Sequence, residues 1–183
     1  MDPSVFPNVG NFRATEDWWF ILPAILLVDV VVIFLVRFFP QTFGNPVNNW
    51  YDQFGLAAVL SDVLIIAIGI ALARYVYSWL FMEKEGWSIW YFIAVAVLIQ
   101  IVHDLFFAFA VVKPIPAGHN DMIDVFKSYI VGGPKIIAAD AAMVIGSILI
   151  ASGLKNMDFY VTNMTSMVTA YALTYILYTN PGK

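Results

Sequence analysis

Four apolar runs long enough to cross a bilayer each carry a single aspartate, and this combination constrains the chain more than any other feature. The runs lie at about 18–39, "WWFILPAILLVDVVVIFLVRFF", with Asp29; about 54–78, with Asp62; about 88–112, with Asp104; and about 134–154, with Asp140. About 20 apolar residues make a helix as long as the hydrocarbon layer is thick. In hydrocarbon only helices and closed barrels satisfy every backbone polar group. A fifth run, about 160–178, is richer in Thr, Tyr and Met. The expected fold is therefore an all-α integral membrane bundle of five transmembrane helices, with four as the alternative, in one domain over residues 1–183.

Composition agrees. The chain is 61% hydrophobic and 12% charged, against about 45–50% and about 25% in soluble domains. Little polar chain is left for a soluble domain. A net charge of −4 argues against nucleic acid as a partner, because such binders present a basic face. Cysteine is absent, which excludes disulfides, thiolate catalysis and cysteine-held metal centres. The start, "MDPSVFPNVGNFRATEDWW", is acidic and aromatic rather than basic, and the first apolar run has full length, so that run is read as a retained helix and not as a cleaved signal. Asp2 stands where N-myristoylation needs glycine. Asn163-Met164-Thr165 matches a glycosylation pattern but lies against the fifth run. Five spans would put the termini on opposite sides. The distribution of Lys and Arg does not choose between four and five.

The connecting segments are short. "PQTFGNPVNNWYDQ" and "EKEGW" have the chemistry of turns. Between the third and fourth runs, Met122, Ile123, Phe126, Tyr129 and Ile130 fall on one helical face, and Asp121, Asp124, Lys127 and Ser128 on the other. That pattern predicts an amphipathic helix over about 120–131, lying in the membrane interface. Gly132 and Gly133 stop it, and Pro134 suits the first turn of the next helix. Arg37 and Arg74, near span ends, are expected to snorkel toward water.

The aspartates can be compared in depth at about 1.5 Å per residue. Measured from the side reached at the end of the first span, Asp29 lies roughly 15 Å deep, Asp62 and Asp104 roughly 12 Å, and Asp140 roughly 9 Å. Antiparallel threading thus puts all four in one half of the bilayer. His103 and Gln100, on the helix of Asp104, join them. A carboxylate at the bilayer centre costs about 2.5–3.5 kcal/mol even on permissive scales, so these groups should face one another or water. Small residues let membrane helices approach closely. Gly55, Ala58, Asp62 and Gly69 share a stripe on the second span, and Ala139, Ala142 and Gly146 another beside Asp140. Three uses of the polar layer remain open: hydrogen bonding between helices, an ion or proton path, and a metal or catalytic site drawing on His103, Asp104 and His119. No metal-binding spacing supports the third. No lysine stands mid-span for retinal, and His103 alone is poor support for haem. No cofactor and no catalytic residue is assigned, and an enzyme is the least expected outcome.

The stretch from His103-Asp104 through Pro116-Ala117-Gly118-His119-Asn120 and Asp124-Val125-Phe126-Lys127 to Ala139-Asp140 resembles a group of small polytopic membrane proteins of large DNA viruses of algae and protists. The resemblance covers roughly residues 103–154 and departs from the group at "GGPK", 132–135, where a more polar approach to the span is expected. It implies a virion or host-cell membrane location and carries no activity. The functional expectation is a viral structural or membrane-organising protein. Its partners would be the lipid bilayer and other copies of itself or other membrane or capsid proteins. The alternative is a proton or cation channel or transporter built on the aspartate layer.

Overall fold

The computed structural model describes residues 6–43, 45–82, 86–130 and 133–180. Among them the regular structure is helical: α1 Trp18–Phe38, α2 Pro40–Phe43, α3 Asn45–Phe54, α4 Leu56–Tyr77, α5 Ile89–Phe106, α6 Asp121–Ile130, α7 Pro134–Lys155 and α8 Phe159–Ile176. A 3₁₀ turn, Thr15–Asp17, leads into α1, and π-helical turns, Ser78–Met82 and Phe107–Val112, extend α4 and α5. Four helical stretches are long and apolar enough to cross a membrane: Thr15–Phe38, Leu56–Met82, Ile89–Val112 and Lys135–Lys155. The chain is thus a polytopic membrane protein. α8 has 18 residues but carries five Thr or Ser and an Asn, and it is not among the four. The helical stop at Gly132 and the first three residues of the "EKEGW" turn, 83–85, lie outside the described residues.

Each long helix is apolar on both its inner and outer sides, the mark of a helix surrounded by lipid. On α4, Val59, Ile66, Ile70 and Ala73 are buried, while Leu60, Leu64, Ile68 and Leu72 are all more than half exposed. α1 is the hub, packing against α7, α8 and α4, and α5 closes the group against α4 and α7. Gly146 lets α7 approach α1, where a β-carbon would stand 3.4 Å from Val28. Gly69 does the same between α4 and Gln100 of α5, also at 3.4 Å. Ala58 is fully buried. Ala139 and Ala142, read from the sequence as packing positions, are instead exposed. The turn of α7 about its own axis, which spacing alone does not give, points them outward.

One end of the bundle, here the near end, is closed by Asp17. Its side chain is fully buried and both oxygens are engaged: Oδ2 accepts from Arg74 at 3.2 Å and Oδ1 from Lys155 at 2.5 Å. Arg74 also donates to the carbonyls of Asn11 and Ala14 and lies over the Trp18 ring. Lys155 donates to the carbonyl of Asn8, and Ser152 to that of Pro7. Residues 7–17 are thereby strapped across the ends of α4 and α7. Arg74 does not snorkel to water, as its position near a span end led one to expect. It is 1% exposed, because the strap brings it a carboxylate and two carbonyls.

The far end is closed differently. Where the stretch 40–53 was expected to turn, Pro40–Phe43 form α2 and Asn45–Phe54 form α3. Trp50 and Tyr51 are buried, and α3 packs against α1, α4 and α6. Gly55 makes the reversal into α4 at φ 51°, ψ −124°, a conformation close to glycine-only. Arg37 is also buried: it donates to Asp52, Asn48 and the carbonyl of Leu177 just past α8. α6 lies over α3 and the end of α5, with Phe126 against both Trp50 and Phe107. α8 runs in the same direction as α1, since Phe159 meets Trp19 and Phe20 at the near end and Leu177 meets Arg37 at the far end.

Breaking a buried ion pair by removing one partner typically costs about 3–5 kcal/mol. Asp17→Asn should therefore lower the thermal stability of the purified protein by that amount. Glu16→Gln, the same charge change at an exposed neighbour, should leave melting nearly unchanged. Equal melting of the two variants would remove Asp17 from its structural role.

Candidate functional site

Three elements bring the first polar group together. Asp29 on α1 is fully buried. Asp62 on α4 faces it, and α3 folds back from the far end to place Tyr51 between them. The Tyr51 hydroxyl lies 3.0 Å from Oδ2 of Asp62 and 3.4 Å from Oδ1 of Asp29. Trp50 donates its Nε1–H to Oδ2 of Asp62 at 3.1 Å. A phenol has one proton to donate, so a single hydroxyl serves two carboxylates here.

The second group lies on α5. Gln100, buried, donates Nε2–H to Oδ1 of Asp104 at 2.7 Å. His103 Nδ1 is 3.2 Å from the same oxygen, and its ring stacks on Phe107. The His103 side chain is 34% exposed and that of Asp104 16%, so this pair stands at the rim and not at the centre. Asp140 on α7 connects the groups electrostatically, within charge range of both Asp104 and Asp62, as Asp62 is of Asp29. Among the described residues, Oδ2 of Asp29 and Oδ2 of Asp104 are buried without a hydrogen-bond partner.

His119, the other imidazole considered with His103 and Asp104, lies in the exposed loop before α6, near Asp124. Among the described residues no three His, Asp or Glu side chains converge closely enough to hold a metal ion. Two surface hollows occur elsewhere. One, between α1 and α8, is lined by Leu27, Tyr160, Met164 and Val168 among others. The other lies at the far end, beside Lys113 and Lys127. None of the four intramembrane aspartates lines either.

Trp50 and Tyr51 were missed in the sequence, although a signal was present. Val47, Trp50, Tyr51 and Phe54 fall at i, i+3, i+4 and i+7, the spacing of a half-buried helix. The surrounding Asn and Pro residues masked it as a turn.

The fold and the apolar composition define a multi-pass membrane protein, and the site adds a string of carboxylates, of which Asp29, Asp62 and Asp104 are met by Tyr, Trp, Gln and His side chains. No protein-family model matches the chain, and neither does any curated protein or solved structure.

Asp62→Asn keeps an acceptor for Trp50 and Tyr51 and should melt close to the parent protein. Asp62→Leu removes that shared acceptor and should cost about 1–3 kcal/mol. If differential scanning in detergent gives equal loss for both, the bonds from α3 to α4 do not hold this end together.

Proposed function

We propose that this chain is a structural, membrane-organising protein that crosses the bilayer five times and resides in a virion or virus-modified host membrane. The observation that carries the structural reading is the use made of the carboxylates: Asp17, Asp29 and Asp62 are each spent on contacts between separate segments, at the near end and in the interior. The fifth crossing is supported by the pinning of α8 to both ends of α1, a helix that itself has the length and composition to span. The amphipathic α6, lying over the far end, is read as resting in the interface. The viral location rests on the resemblance over residues 103–154. A bundle closed by its own side chains would act through its outer faces, on lipid, on further copies of itself, or on other membrane or capsid proteins.

Single cysteines test the topology without background, since the chain has none of its own. Arg13→Cys and Asn180→Cys, both at exposed positions, should label with a membrane-impermeant maleimide from opposite sides of sealed vesicles. Labelling of both from one side would establish an even number of crossings.

A second reading is favoured by specific geometry: four carboxylates within charge range, two with unpartnered buried oxygens, and one hydroxyl shared between two acids. It is a proton or cation path, for which intramembrane carboxylates are the usual signature. Vesicles loaded with a pH-sensitive dye decide between the two. The structural reading requires that the protein leave an imposed pH gradient undisturbed. Dissipation of the gradient that is abolished by Asp104→Asn, with melting preserved, would establish the path instead.

A further inference from the structure

The far end of α5 carries a site of a different kind. The π-turn closes at Val112, which is buried, and Lys113 is the first residue beyond the candidate span Ile89–Val112. Its ammonium stands 5.8 Å from the centre of the Phe109 ring. Lys127 of α6 is drawn to the same place: its ammonium donates to the carbonyl of Ile115 at 2.7 Å and to Asp124 at 3.2 Å. Between the two lysines is the surface hollow lined by Ala108, Phe109, Lys113 and Lys127. From its floor toward the middle of the bundle, Phe109, Phe106, Val102 and Leu98 are 59–64% exposed and follow one outward stripe. Two ammoniums thus stand at the end of a span above an apolar track.

The local charge narrows the ligand. Asp124 accepts from the backbone N–H of Gly118 at 2.7 Å as well as from Lys127. The Gly118 bond first, and Lys127 second, hold its carboxyl below the usual aspartate range. Asp124 is therefore an anion at neutral pH and offsets Lys127, leaving Lys113 outside any ion pair among the described residues and one Lys127 donor free of the three an ammonium has. A single net positive charge with donors from two sides suits a phosphodiester monoanion better than a multiply charged group. A phosphodiester at a membrane surface, with an apolar track running inward from it, is a phospholipid. Basic pockets at span ends are a recurrent way of holding such headgroups.

We propose that this hollow binds the headgroup of an anionic phospholipid, the phosphate between Lys113 and Lys127 and an acyl chain along Phe109, Phe106 and Val102. The site rests on the reading that Val112 marks a membrane surface. It does not depend on whether the aspartates conduct.

The test uses the full chain in nanodiscs of phosphatidylcholine, alone or mixed with phosphatidylglycerol. Thermal melting and the lipid retained in native mass spectrometry are the two readouts. Phosphatidylglycerol should raise Tm and be retained in preference to phosphatidylcholine. Lys113→Gln should weaken that retention about fivefold, the contribution of one lysine near an anionic headgroup. Lys113→Arg should restore it, and Arg13→Gln, at the opposite end, should leave it unchanged. Indifference of the parent protein to phosphatidylglycerol, or retention by Lys113→Gln equal to that of the parent, would overturn the site. Inorganic phosphate raising Tm in pure phosphatidylcholine as much as phosphatidylglycerol does would overturn the lipid assignment in favour of a free anion. Release of the chain from membranes by alkaline carbonate would overturn the membrane reading itself, and this site with it.

Discussion

Asp17 ties together, at one end, three parts of the chain whose helices also pack along a shared apolar core. A carboxylate removed wholly from water is tolerable only when its charge and its lone pairs are both answered. Here one oxygen receives the guanidinium of Arg74 and the other the ammonium of Lys155. The remaining donors of those two cations then have to be satisfied as well. Part of that demand is met by the carbonyls of Asn8, Asn11 and Ala14, while Nε of Arg74 is buried with no hydrogen-bond partner among the described residues. The strap of residues 7–17 is thus the ligand shell of one buried cation, Arg74, and one partly exposed cation, Lys155, and it fastens the ends of α4 and α7 to the start of α1.

The aspartates within the spans are handled by a different rule. No Lys or Arg reaches Asp29, Asp62 or Asp104 with a hydrogen bond among the described residues. Their partners are Tyr51, Trp50, Gln100 and His103. Among the described residues the Lys and Arg side chains lie toward the two ends, and the neutral donors Tyr51, Trp50 and Gln100 serve the aspartates within the spans. The division follows from cost, since each further ion placed in hydrocarbon would carry its own desolvation penalty. α3 exists to deliver two of those neutral donors. It is a short helix that does not cross, and its burial depends on the glycine reversal at Gly55.

Much of the helix plan was legible in the sequence. The runs at about 18–39, 88–112 and 134–154 correspond to helical stretches Trp18–Phe38, Ile89–Val112 and Pro134–Lys155 because lipid imposes a length on any apolar helix. Counting residues along those helices also compares the depths of the aspartates. Depth does not fix direction around the axis, and this is why Ala139 and Ala142 were misassigned and why His103 proved to stand at the rim. The partners of Asp17 were out of reach for another reason. Arg74 and Lys155 are 57 and 138 residues away, and no local pattern announces so distant a pair. α3 was hidden by its own composition, four residues of helical spacing set among turn formers.

The strap has a consequence for biosynthesis. Lys155 and Ser152, which hold residues 7–17 in place, follow them by 138–147 residues. At roughly 5–20 residues per second, the segment before α1 waits between roughly 7 and 29 s for its anchors to be made. Arg74 arrives earlier and would be the first cation Asp17 meets. One contact at the far end forms later still, because the carbonyl that Arg37 binds belongs to Leu177. The contacts at both ends therefore complete only after the segments that carry Lys155 and Leu177 have been made.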